Sequence, residues 1–184
     1  MRNTKRIISI FLMLALLASC LIGCGNSEKK TFYDQVEELA NCADTNIPLV
    51  EMFLGFEQDY IQDNGITDDS QSAAVASYAS SLYEYALGEV AKQGTKTDHA
   101  TLDKIGERAD RINELTKLIG NSEYGKQYND ELRSAALSLG TTYLSIMGLM
   151  IEPYGPAEQF RKDYTGLISL ANQYINKIEK ILAK

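Results

Sequence analysis

The chain has no tryptophan, one histidine and three cysteines in 184 residues. The single histidine, His99, excludes metal sites that draw histidines from two helices, and the sequence contains no Cys-x-x-Cys, Glu-x-x-His or Gly-x-Ser-x-Gly motif. The acidic stretch 59–69 does not fit the register of a calcium-binding loop, because its first ligand position would fall on Tyr60. We therefore expect no cofactor, no metal site and no catalytic residue, and we predict that the protein is not an enzyme.

Basic residues are also scarce, and several of them lie at the extreme N-terminus. The whole chain has 18 Lys+Arg and 25 Asp+Glu, a formal charge of −7. Without residues 1–23, which carry Arg2, Lys5 and Arg6 and no acid, 15 basic and 25 acidic residues remain, a charge of −10. A domain with this charge is a poor candidate for nucleic-acid binding, which needs a positively charged surface. The charge favours solubility, and we do not expect the domain to lie flat on anionic lipid.

The first 24 residues have the organisation of an export signal. A basic start is followed by residues 7–22 without a charge, a stretch that is short for a membrane span. It ends in Leu21-Ile22-Gly23-Cys24, an aliphatic, a variable and a small residue before a cysteine. This pattern resembles the bacterial lipoprotein signal peptide, which implies that signal peptidase removes residues 1–23 and that Cys24 carries lipid. The mature chain would then be anchored to the cell membrane on its extracytoplasmic face.

A second tetrad, Leu17-Ala18-Ser19-Cys20, also fits the pattern, so Cys20 is the alternative lipidation site. Cys24 is favoured because Gly25-Asn26-Ser27 follows it as a polar, flexible start, whereas cleavage at Cys20 would leave two apolar residues on the mature side. An ordinary secreted protein without lipid is the third interpretation. With Cys24 lipidated, Cys42 is the one remaining thiol, so an internal disulfide is excluded. We interpret Cys42 as a small side chain that packs in the core.

Helical periodicity dominates the rest of the chain, and alternating strand patterns are not evident. We predict an all-α fold, an up-and-down antiparallel bundle of four to five helices. Residues 24–30 are predicted to be the lipidated cysteine and a short tether, and residues 31–184 a single bundle domain. The predicted helices cover 31–63, about 69 or 70 to 92, 98–119, from 122 or 126 to 152, and the segment after Pro156.

Several residues predict where these helices break and how they pack. Pro48 predicts either two helices or one kinked helix in the first region, and Asn64-Gly65 predicts its end. Residues 135–151 carry no charge, which favours a helix buried on most sides over a membrane span. Small residues in this segment, Gly140 and Gly148, predict close helix contacts.

The last helix carries an apolar heptad seam, which predicts packing within the bundle, with a groove for a partner helix as the alternative. The seam comprises Phe160, Tyr164, Leu167, Ala171, Tyr174, Ile178 and Ile181.

Tyrosine is the one abundant residue with functional potential, with eleven copies. Tyrosines form stacking platforms for small ligands or anchors for partner proteins, although most lie at the edge of a core. The candidate ligand-binding residues are Tyr78, Tyr85, Tyr128 and Tyr143.

These observations predict a membrane-anchored lipoprotein whose non-catalytic helical domain mediates protein interaction at the cell envelope. The alternative is a lipoprotein that binds a small ligand in a tyrosine-lined pocket between helices. In either case the N-terminal lipid attaches the chain to the membrane, and an envelope or extracellular protein is the expected partner.

Overall fold

The structure is a computed structural model that describes the backbone of residues 2–67 and 99–184 and the side chains of residues 27–67 and 104–184. Its helices are α1 (Arg2–Asp63), α2 (His99–Asn121), α3 (Glu123–Tyr128), α4 (Asp130–Ile151) and α5 (Ala157–Leu182). The described residues contain no strand, so the predicted all-α fold is confirmed. The helix predicted at about 70–92 lies outside the described residues.

Helix α1 runs without interruption through Pro48, so of the two predicted outcomes the structure has the single helix. Proline removes one backbone N–H from the helical ladder, which leaves the carbonyl one turn earlier, on Asp44, without its usual donor. Both Pro48 and Asp44 are exposed. Water can therefore satisfy that carbonyl, and the apolar face on the other side of α1 holds the helix together.

Helix α1 ends at Asp63, where Asn64-Gly65 predicts the end of the helix. Gly65 has φ +62°, the left-handed conformation that favours glycine. Its N–H donates to the carbonyl of Gln62 at 3.1 Å, and the N–H of Ile66 donates to the carbonyl of Ile61 at 3.1 Å. These two bonds form a Schellman motif, and the buried Ile66 supplies its apolar contact.

The predicted fourth helix is two helices, because the chain breaks at Asn129. Asn129 has φ −151° and ψ 56°, and its side chain accepts from the N–H of Leu132 at 3.3 Å to cap α4. Ser122 caps the short α3 in the same way through the N–H of Gly125 at 3.1 Å. Helix α2 ends at Asn121, two residues beyond the predicted end at residue 119.

Contacts between α1 and α2 show the direction in which α2 runs. Arg111 of α2 donates to Glu38 of α1, with Nε–Oε1 and Nη2–Oε2 distances of 2.7 and 2.8 Å. Eight residues further along α1, Asn46 donates to the carbonyl of Ile105, which is earlier in α2, at 3.3 Å. Because later residues of α1 meet earlier residues of α2, the two helices are antiparallel.

Helix α4 runs parallel to α1. Asn129, at the start of α4, donates to the hydroxyl of Tyr33 at 2.9 Å, and Asn46 donates to the hydroxyl of Tyr143 further along. The turn at residues 152–156 then reverses the chain into α5, where Lys177 reaches Glu131 at 3.4 Å. Helices α1, α2, α4 and α5 therefore alternate in direction around a common core, as an up-and-down bundle requires.

The heptad seam of α5 packs inside the bundle, as expected, but with a shift. The fully packed positions are Phe160, Tyr164, Ile168, Ala171, Ile175 and Ile178. Leu167 and Tyr174, both predicted seam residues, are half-buried, because the next residues, Ile168 and Ile175, occupy the buried positions. A straight helix has 3.6 residues per turn, so an apolar stripe drifts from a strict seven-residue repeat.

Within residues 27–67 and 104–184, α4 is the one helix with the length and composition to cross a membrane, and 39% of its apolar window is buried. Its buried side contributes Leu132, Ala136, Leu139, Tyr143 and Ile146 to the core shared with the other helices. The prediction of burial on most sides was too strong, since Ile151 is exposed and the residues facing away from the core are half-buried or exposed.

Candidate functional site

The proposed lipidation site lies directly before the first core residues of the bundle. Cys24 and its alternative Cys20 fall within the bounds of α1, and their side chains lie outside the described ones. Side chains 27–30 are exposed, and the first buried side chain described is Phe32. The residues of the predicted tether, 24–30, are therefore helical and lie within α1, and the domain boundary at residue 31 stays a prediction.

The candidate ligand-binding tyrosines do not come together in the described structure. Tyr78 and Tyr85 lie outside the described residues. Tyr128 lies at the end of α3 with 72% of its surface exposed, and its ring packs on Tyr124 at a centroid distance of 5.3 Å. Tyr143 is fully buried on α4, so it offers no surface to a ligand.

Tyr143 belongs to a buried polar cluster that joins three helices. Its hydroxyl accepts a hydrogen bond from Asn46, which also donates to the carbonyl of Ile105 at 3.3 Å. Arg108 completes the cluster, with its Nη1 atom 3.4 Å from the Asn46 side-chain oxygen. Burial raises the pKa of Tyr143 to about 12, against the smaller opposing effect of the Asn46 hydrogen bond. The phenol stays protonated and fixes the helices relative to each other.

An acidic groove runs along α1 beside α2, with a volume of about 470 Å³. Its lining residues are mainly acidic or polar: Asp34, Glu37, Glu38, Asn41, Cys42, Thr45 and Arg108. The hydrogen bonds from Arg111 hold the pKa of Glu38 below its ordinary value, so this carboxylate stays ionised. The groove is suited to cationic side chains, and we refer to it below as the acidic groove.

Cys42, inside the acidic groove, is a half-buried free thiol. Burial raises its pKa, and the negative charge of Glu38 raises it further, against smaller opposing effects of Arg108 and Arg111. A nucleophilic cysteine needs the opposite environment, one that stabilises the thiolate. The structure therefore agrees with the interpretation of Cys42 as a packing residue.

Glu57 is a buried acid that the sequence analysis missed. It is 3% exposed, and its Oε2 atom has no hydrogen-bond partner among the described residues. Burial raises its pKa from 4.5 to about 9, so the carboxyl is protonated at neutral pH. The signal was present in the sequence, because Glu57 follows Leu54 by three residues and precedes Ile61 by four, which are the spacings of the buried face.

Residues 27–67 and 104–184 contain no group of three or more His, Cys, Asp or Glu side chains that could hold a metal ion. The fold and the surfaces described above define the class of the protein as an all-α helical bundle with a packed core and an acidic groove. Comparisons with protein families, curated proteins and solved structures found no match to this chain.

Proposed function

We propose that the protein is a membrane-anchored lipoprotein whose non-catalytic helical bundle binds a protein partner at the outer face of the cell membrane. The observation that carries this proposal is the position of Cys24, eight residues before Phe32, the first described residue of the core. An anchor so close to the bundle keeps the domain at the membrane surface, since eight residues span only about 12 Å as a helix and about 26 Å when extended.

The described interior supports a role in binding rather than catalysis. Two of its buried polar side chains, Asn46 and Tyr143, are engaged in helix–helix contacts, and burial raises the pKa of the Cys42 thiol, which disfavours the nucleophilic thiolate. The alternative of a tyrosine-lined ligand pocket now rests on Tyr78 and Tyr85, which lie outside the described residues. We therefore favour a protein partner that presents Lys or Arg side chains to the acidic groove, where the side chains of Asp34 and Glu37 are exposed.

Site-specific photo-crosslinking in intact cells tests this proposal. We expect a photo-reactive residue at Asn41, an exposed position in the acidic groove, to give a discrete crosslinked product. The same residue at Asn172, an exposed position on α5, is the matched control and should give none. Cys24→Ala should remove most of the product, because the bundle is then no longer held at the membrane. The absence of a discrete product at Asn41 would contradict partner binding at the acidic groove.

A further inference from the structure

We propose that the end of the bundle nearest Cys24 is a contact surface for the anionic phospholipid bilayer that holds the anchor, so that the bundle stands end-on upon the membrane. This inference rests on the proposed lipidation. The anchor end is defined as residues 27–35 of α1, residues 117–133 and residues 177–184 of α5. The hydrogen bond from Asn129 to Tyr33 and the ion pair between Lys177 and Glu131 bring these segments to the same level.

The anchor end carries a cluster of aromatic side chains with exposed members. Tyr124 lies at its centre, with ring-centroid distances of 5.8 Å to Phe32, 6.3 Å to Tyr33 and 5.3 Å to Tyr128. Tyr128 is 72% exposed, and nearby Leu118 is 41% exposed. These are two of the most exposed large apolar side chains among the described residues. Tyrosine suits the interface between lipid and water, because its ring is apolar and its hydroxyl is polar.

Leu118 and Tyr124 also line a shallow groove at this end, with a volume of about 350 Å³. The groove begins at Ser27, three residues after Cys24, so the lipid chains on Cys24 would enter the bilayer beside it. If the chain leaves the bilayer at the lipidated Cys24, the aromatic cluster, which begins eight residues later at Phe32, lies close to the lipid headgroups.

The side-chain charge is distributed unevenly along the bundle. The anchor end has eight cations against six acids (Lys29, Lys30, Lys117, Lys126, Arg133, Lys177, Lys180 and Lys184; Glu28, Asp34, Glu123, Asp130, Glu131 and Glu179). The other residues with described side chains, 36–67, 104–116 and 134–176, have five cations against thirteen acids, of which Glu57 is protonated at neutral pH. Among the described side chains, the negative charge therefore lies mainly in the part of the bundle away from Cys24.

This charge distribution favours an end-on orientation over one with α1 against the membrane. A bundle lying on α1 would bring the acids of residues 36–67, a range without any cation, against anionic headgroups, which is repulsive. Standing on the anchor end, the bundle places lysines at the membrane and keeps most acids of the described residues beyond the screening length of about 8–10 Å at physiological salt. Residues 35–63 of α1 alone extend about 42 Å away from the surface.

Tryptophan fluorescence tests the contact, because the native chain has no tryptophan and one introduced indole is the sole probe. Tyr128→Trp places it at the anchor end, and Ile151→Trp is the matched control at the far end of α4, where Ile151 is 66% exposed. The full chain is expressed in a bacterium, its lipid is verified by intact mass, and the mature protein is reconstituted into vesicles of phosphatidylglycerol and phosphatidylcholine with brominated acyl chains.

We expect brominated lipid to quench the emission of the Tyr128→Trp protein roughly by half and to leave the Ile151→Trp protein unchanged, because an interfacial indole lies at headgroup level. Vesicles of phosphatidylcholine alone should give weaker quenching, since the lysines then lose their anionic partners. Equal quenching at both positions, or none at either in a protein with verified lipid, would overturn the end-on contact. Absence of lipid from the purified protein would overturn the proposed anchoring, and this inference with it.

Discussion

Replacing Gly140 with alanine is expected to lower the free energy of unfolding by about 1–3 kcal/mol, the usual cost of overpacking a core. A Cβ atom at Gly140 would lie 2.0 Å from Oγ1 and 3.0 Å from Cβ of Thr116 on α2. The Thr116 Cβ atom is attached to the backbone and cannot rotate away, and Oγ1 donates to the carbonyl of Ile112 at 2.6 Å. Helices α2 and α4 must therefore move apart to accommodate the methyl group.

Gly148 on the same helix is the matched control, since a Cβ atom there meets nothing within 4 Å. Gly148→Ala should stabilise the protein by up to about 1 kcal/mol, because alanine is the better helix former. Urea unfolding followed by far-ultraviolet circular dichroism measures both changes. The double variant Gly140→Ala/Thr116→Ala should be less destabilised than the sum of its single changes. Equal effects at Gly140 and Gly148 would contradict the close approach of α2 and α4.

Replacing Glu57 with glutamine should stabilise the protein in a way that grows with pH. Burial raises the pKa of this carboxyl from 4.5 to about 9, so between these values the folded state binds a proton that the unfolded state releases. The contribution of Glu57 to folding stability is therefore lost as pH rises from about 4.5 to 9, whereas the contribution of a salt-bridged acid is lost as pH falls. Glutamine is neutral at every pH and removes this loss.

Unfolding of wild type and Glu57→Gln should differ little at pH 4 and by on the order of 3 kcal/mol at pH 7, the difference in favour of the glutamine variant. Glu51→Gln, an exposed position on α1, is the control and should change stability by less than about 0.5 kcal/mol across this range. Chemical denaturation at a series of pH values gives both curves. A difference between wild type and Glu57→Gln that does not grow with pH would show that Glu57 is not buried as described.

Local signals in the sequence predicted much of the fold. Asn64-Gly65 ended α1 as expected, because glycine in the left-handed conformation is a local requirement of the helix terminus. The break at Asn129 was missed, although the same residue type is a common cap, because a residue that caps at a terminus is also tolerated inside a helix. Pro48 predicted a break or a kink in the first helical region, yet α1 continues through it, because burial of the rest of α1 outweighs one lost hydrogen bond.

The candidate site was less predictable because it depends on contacts between distant residues. Glu38 and Arg111 are 73 positions apart, so their ion pair could not be read from either neighbourhood. Tyr128 and Tyr143 have the same side-chain chemistry, yet one is 72% exposed and the other is completely buried. The charge-free stretch 135–151 around Tyr143 favours burial, but the hydrogen bond from Asn46 on α1 could not be predicted from that stretch.

The N-terminal peptide of the protein purified from the membrane fraction tests the central claim most directly. Its mass should correspond to a chain that begins at Cys24 and carries a diacylglyceryl group, with residues 1–23 removed. A lipidated chain that begins at Cys20 would move the anchor by four residues and contradict the choice of Cys24. A processed chain without lipid in the soluble fraction, or an uncleaved chain in the cytoplasm, would contradict the account of a membrane-anchored bundle.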